Sequence, residues 1–178
     1  MLIGILLCCL LQAERPAAIT AGTSDGTQLW GYPAVGIRAS TRWYQHVLAV
    51  VQESAENLHA SKTLAYSVVA ARRPGGGSGV GHGNFLEIGP LDVNLKPRQW
   101  TWLKVADLIF VDASVGVRYS YAEDPSKLVK TDSQAVMDLA VVLEELLKNE
   151  LPSLKHSRLY IVGESYGGKL AAMLGVSV

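Results

Sequence analysis

Apolar residues along this chain fall into short continuous runs and one long helical stripe. Residues 106–111 (ADLIFV) are dense in branched and aromatic side chains and predict a buried strand. Residues 64–71 (LAYSVVAA) read as a second short strand, and Leu159-Tyr160-Ile161-Val162 as a third. Leu29-Trp30-Gly31-Tyr32, beside the turn cluster at 23–27, can open another. Over 131–151 the period changes. Val136, Leu139, Leu143 and Leu146 make one apolar face, Thr131 and Gln134 can form a capping box, and Pro152 stops the helix. Trp43, Val47, Val50-Val51 and Leu58 also sit near helical spacing, so 42–60 predicts a helix. Residues 72–83 form a loop by glycine content, and 92–99 a polar loop. Strand, long helix, strand, helix is the rhythm of an α/β fold with a mostly parallel central sheet and flanking helices.

The last strand runs straight into Gly163-Glu164-Ser165-Tyr166-Gly167-Gly168-Lys169, with the helix formers 170–174 behind it. A β-prone run, a Gly-x-Ser-x-Gly and a helix describe a nucleophile elbow, in which a sharp turn exposes a serine hydroxyl at the C-terminal edge of a sheet. Small flanking residues let that turn close without a Cβ clash. Residues 166–178 contain neither Asp nor His. In such folds the acid and base follow the nucleophile, and a serine without a base is a weak nucleophile. His46, His59, His82 and His156 read as surface or loop histidines, not as the base.

Composition narrows the setting. With 178 residues, 49% apolar and 18% charged, the chain has one domain's worth of polypeptide and enough apolar side chains for a core. A formal net charge of +0 argues against nucleic-acid binding or electrostatic attachment to a membrane. Residues 1–11 (MLIGILLCCLL) are too short to span a bilayer and fit a secretory h-region. Residues 1–21 are therefore expected to be a signal peptide, with Ala13, Ala18 and Ala21 as candidate cleavage points and 22–178 as the folded domain. Both cysteines, Cys8 and Cys9, lie in that leader, so no disulfide is expected in the remainder. A short buried N-terminal helix is the alternative reading of this run.

Other motifs carry less. Gly163, Gly168 and Lys169 approach a phosphate-binding loop, but Leu170 stands where Ser or Thr should hold Mg²⁺. Trp100 and Trp102 read as packing residues. Asp112, just past a predicted strand, sits where function collects in parallel sheets, although a structural hydrogen-bonding role fits it better. No metal site or organic cofactor is implied.

Three segments in order carry a resemblance: Gly77–Leu91 (GSGVGHGNFLEIGPL), Trp102–Tyr121 (WLKVADLIFVDASVGVRYSY) and Gly163–Lys169 (GESYGGK). They resemble the serine carboxypeptidases of the α/β-hydrolase fold, most of all the plant branch and the group around retinoid-inducible serine carboxypeptidase. The resemblance implies acyl-enzyme hydrolysis of the last peptide bond, with peptide or protein C-termini as substrate and a location in the secretory pathway, secreted or vacuolar/lysosomal. It implies Ser165 as nucleophile, the Tyr166 backbone N–H as an oxyanion donor, and Glu164 with its partner Glu87 as the holders of the substrate carboxylate. Tyr119 and Tyr121 lie where the family shapes its cleft, and core packing is an equal alternative for them.

Two departures go with the resemblance. The family's second oxyanion donor aligns with Pro74, which has no N–H, and its carboxylate-binding amide position falls on Arg72. Residues 35–71 show little of the family pattern, as a shifted frame or unusual exon would. The reading is thus the N-terminal part of a serine carboxypeptidase, expected to hydrolyse little as these 178 residues alone. A non-catalytic secreted protein and a carboxypeptidase-like acyltransferase are the alternatives.

Overall fold

The computed structural model describes residues 19–22, 28–32, 34–35, 45–46, 49–52, 63–69, 79–113, 115–116, 119–122, 124–152 and 155–177. Most of the expected leader, the turn cluster at 23–27, and Arg72, Pro74 and the rest of 70–78 lie outside them.

Six strands form the main sheet in the order β1-β2-β5-β7-β6-β9. They are β1 (Ile19–Gly22), β2 (Gln28–Gly31), β5 (Ala49–Gln52), β6 (Thr63–Val69), β7 (Asp107–Val111) and β9 (Arg158–Glu164). A smaller sheet joins β3 (Ala34–Val35), β4 (Gln45–His46) and β8 (Tyr121–Ala122). The α/β architecture is as expected, but the main sheet is mixed. Its β7-β6-β9 portion is parallel, whereas β1-β2, β2-β5 and β5-β7 pair antiparallel. Parallel neighbours need long crossovers, and here these contain the Gly79–Ile88 helix and helix α1 (Asp132–Glu145).

The helix expected over 42–60 is a second correction. Gln45–His46 and Ala49–Gln52 are strands, with Val50 opposite Trp30 of β2 and Phe110 of β7. A β-branched pair slotted between two strands outweighs a weak helical spacing. The glycine-rich loop changes as well. From Gly79 to Ile88 the backbone is a wide π-helix, despite its glycines.

Strand β7 is buried along its whole length, and its alternation feeds two cores. Ile109 and Val111 face α1 and α2 (Tyr166–Gly175), packing with Val136, Leu139, Leu170 and Leu174. Leu108 and Phe110 face the other side, with Val80, Ala106 and the partly buried Ile88 and Leu103. The stripe read at 131–151 is therefore a core face. Thr131 caps it by accepting from the Gln134 N–H, while the Gln134 side chain accepts from Lys130 N–H. A π-helical turn, Leu146–Glu150, ends just before Pro152. Trp100 and Trp102, expected in packing, are exposed, and Lys104 lies over the Trp100 ring. Among the described residues no helix is long and apolar enough to cross a membrane.

Candidate active site

Strand β9 ends at Glu164 and α2 begins at Tyr166, leaving Ser165 alone in the turn. Its backbone lies at φ 54 and ψ −117, a region that non-glycine residues seldom enter. That is the conformation a nucleophile elbow demands, and it turns an exposed serine outward. The neighbouring glycine is obligatory for a contact reason. A Cβ on Gly163 would fall onto the carbonyl of Gly167, in the first turn of the helix that returns over the strand end. Tyr166 is the first residue of α2, so its N–H is among the donors that the helix itself leaves unpaired, at the positive end of the helix dipole.

The second component arrives from the Gly79–Ile88 helix. Gly79 sits against the end of β7, where a Cβ would strike the Val111 carbonyl. The next residue is pinned by a buried carboxylate: the Val80 N–H donates to Asp112 Oδ1 at 3.1 Å. Asp112 also accepts the Tyr119 N–H at 3.5 Å, and its carbonyl accepts the Ser120 hydroxyl at 2.7 Å. The structural role expected for Asp112 is what the fold assigns it.

One helical run later, the Glu87 carboxyl comes close enough to that of Glu164 to interact with it. Two neighbouring carboxyls disfavour a second negative charge between them. Burial and the Glu164 carboxyl push the Glu87 pKa up, while His82 and Arg98 pull it down; the upward causes prevail. The pair thus sits directly before the serine, since Glu164 is its chain neighbour.

Sequence reasoning missed two contacts. His82 Nε2 lies 3.2 Å from Glu87 Oε1, so this histidine belongs to the carboxyl cluster. Five residues separate them, the repeat that a π-helix brings together, but a glycine-rich segment gives no signal of helix. The other is Asp132, the first residue of α1, which accepts from both the Tyr166 hydroxyl and the Lys169 ammonium. Lys169 lies over the Tyr166 ring as well. This contact ties the first turn of α2 to the start of α1. Lys169 first, then the Tyr166 hydroxyl, hold the Asp132 pKa below its ordinary value, and Asp132 in turn raises that of Tyr166.

A strand-turn-helix elbow at the C-terminal edge of parallel strands, with α1 and α2 packed on one face, defines the α/β-hydrolase class. The solved chain of Kex1(delta)p, a prohormone-processing carboxypeptidase from Saccharomyces cerevisiae, shares this fold, with TM-score 0.68 over 92% of the present chain and 35% of its own, at 17% identity. Within the class, residues 74–178 match the family model of serine carboxypeptidases. Serine carboxypeptidase-like 51 of Arabidopsis thaliana is 44% identical over 158 residues, covering 87% of this chain and 32% of that protein. Human retinoid-inducible serine carboxypeptidase is 34% identical over 174 residues, 98% of this chain and 37% of its own. The chain belongs to the serine carboxypeptidase family, and it spans about a third of the length of these curated relatives.

Proposed function

We propose that these residues supply the nucleophile and the carboxylate subsite of a serine carboxypeptidase acting on peptide C-termini. Ser165 attacks the carbonyl of the last peptide bond, its hydroxyl proton passing to a base, and an acyl-enzyme forms as the terminal amino acid leaves. The Tyr166 N–H faces the oxygen on which charge develops. Glu164 and Glu87 share a proton, which they donate to the α-carboxylate of the residue being released. The observation that carries the reading is a serine in elbow geometry whose chain neighbour Glu164 interacts with the Glu87 carboxyl. Neither an esterase nor a lipase needs two carboxyls there. The apolar run at 1–11 supports entry into the secretory pathway.

The chain spans about a third of the length of its curated relatives, so binding tests the reading more directly than turnover. Acetyl-Ala-Phe as the free acid is expected to bind at acid pH at least about tenfold tighter than its C-terminal amide, and Glu87→Ala removes that preference. Equal affinity of the wild-type chain for acid and amide would refute the carboxylate subsite.

A further inference from the structure

His82 is the neighbour of the glutamate pair that the proposed reaction leaves unused. Its imidazole reaches Glu87 at 3.2 Å, yet 49% of the side chain stays in solvent, so a bound ligand can also reach it. The charged groups facing Glu87 are Glu164, His82 and Arg98. Arg98 keeps its charge at every working pH, whereas imidazole is the side chain that ordinarily loses its charge between pH 5 and 8.

We propose that His82 is a specificity-determining residue of this site: as an imidazolium it offsets the negative charge of the Glu87–Glu164 pair, so that the pocket accepts a ligand's free α-carboxylate. The inference rests on the carboxylate-subsite reading above and deepens it. A pair sharing one proton carries one negative charge, and an arriving carboxylate meets like charge. Arg98 alone brings the pair only to neutrality, and an imidazolium beside Glu87 makes the cluster net positive toward an arriving carboxylate, leaving the shared proton free to be donated. With the imidazole neutral, Arg98 alone is left to offset the pair. Position makes this economical: the five-residue repeat of the Gly79–Ile88 helix places the imidazole beside the carboxyl on the same backbone, with no second element to be brought in.

The test extends the same binding measurement with the 178-residue chain, comparing acetyl-Ala-Phe and its amide at about pH 5 and about pH 7.5, either side of ordinary imidazole titration. His82→Gln is expected to weaken binding of the acid about tenfold at the lower pH, to leave the amide unchanged, and to flatten the fall between the two pH values. His82→Lys, charged at both, restores the acid at the lower pH and retains more of it at the higher. Unchanged amide affinity also shows that the half-exposed substitution has not unfolded the chain. If His82→Gln binds the acid with wild-type affinity and wild-type pH profile, His82 is only a surface partner of Glu87 and the inference is overturned. If the wild-type chain does not distinguish acid from amide, the underlying subsite reading fails first, whatever His82 does.

Discussion

Two helices begin at the C-terminal edge of the parallel strands and bring the two halves of the site, but they are held there in different ways. Helix α2 follows Ser165 and buries Leu170 and Leu174 fully in the larger core. The Gly79–Ile88 helix carries Glu87 and buries little apolar surface; Val80 is its one buried branched side chain. What fixes it is a glycine pressed on the end of β7 and the buried carboxylate of Asp112. The proposed nucleophile therefore rests on hydrophobic packing, and the carboxyl beside it on a polar hinge.

The comparison can be broken at either helix, and the largest effects lie at the contacts with no room to give. Gly163→Ala forces a Cβ into the Gly167 carbonyl and is expected to cost about 3 kcal/mol or more in urea unfolding. Asp112→Ala strands the Val80 N–H in a buried place and is expected to cost about 3 kcal/mol, with loss of acid-over-amide binding because Glu87 is released. Leu174→Ala should cost a similar amount, about 2–4 kcal/mol, by opening a cavity beneath α2. It leaves the acid preference in place. That split between stability and binding is what separates the hinge from the packing.

Asp138 gives a smaller effect of opposite sign. It lies on α1 with a buried Oδ2 that has no hydrogen-bond partner among the described residues, and burial pushes its pKa up to about 6. The fold thus favours the neutral acid, and stability contributed below the unfolded value is lost as pH rises through about 6. Asp138→Asn is expected to stabilise the chain by about 1–3 kcal/mol at neutral pH and by almost nothing near pH 4, read from paired denaturation curves. The Asp132 carboxylate obeys the reverse sign. Held below its ordinary pKa, it supports the fold above the carboxylate range and stops doing so as pH falls. Asp132→Asn should therefore lower the melting temperature slightly at neutral pH, with the difference closing in acid.

Much of this frame was legible in the residues. Strands at 64–71, 106–111 and 159–162 announced themselves because continuous branched and aromatic runs have few alternatives. Helix α1 did so through its stripe and cap, and the elbow through Gly163 and Ser165. Residues 42–60 were misread because Val50 and Val51 fit a helical spacing, whereas their state is decided by β2 and β7, which lie elsewhere in the sequence. The Gly79–Ile88 helix was invisible for a related reason. Its glycines lower intrinsic helicity, and what holds it is contact with β7 and Asp112. With that helix unseen, His82 and Glu87 looked like two loop residues. Asp132 and Tyr166 are separated by 34 positions and meet only when α1 and α2 pack. Local pattern reported the elements; long-range packing decided which side chains share the site.

The most direct measurement is the reaction of the 178-residue chain with a fluorophosphonate, followed by intact mass beside Ser165→Ala. A single phosphonyl adduct should form on Ser165, and Ser165→Ala or prior unfolding in urea should abolish it. Identical mass spectra for the wild-type chain and Ser165→Ala would contradict the account, because the exposed, strained serine would then not be the nucleophile that its elbow implies.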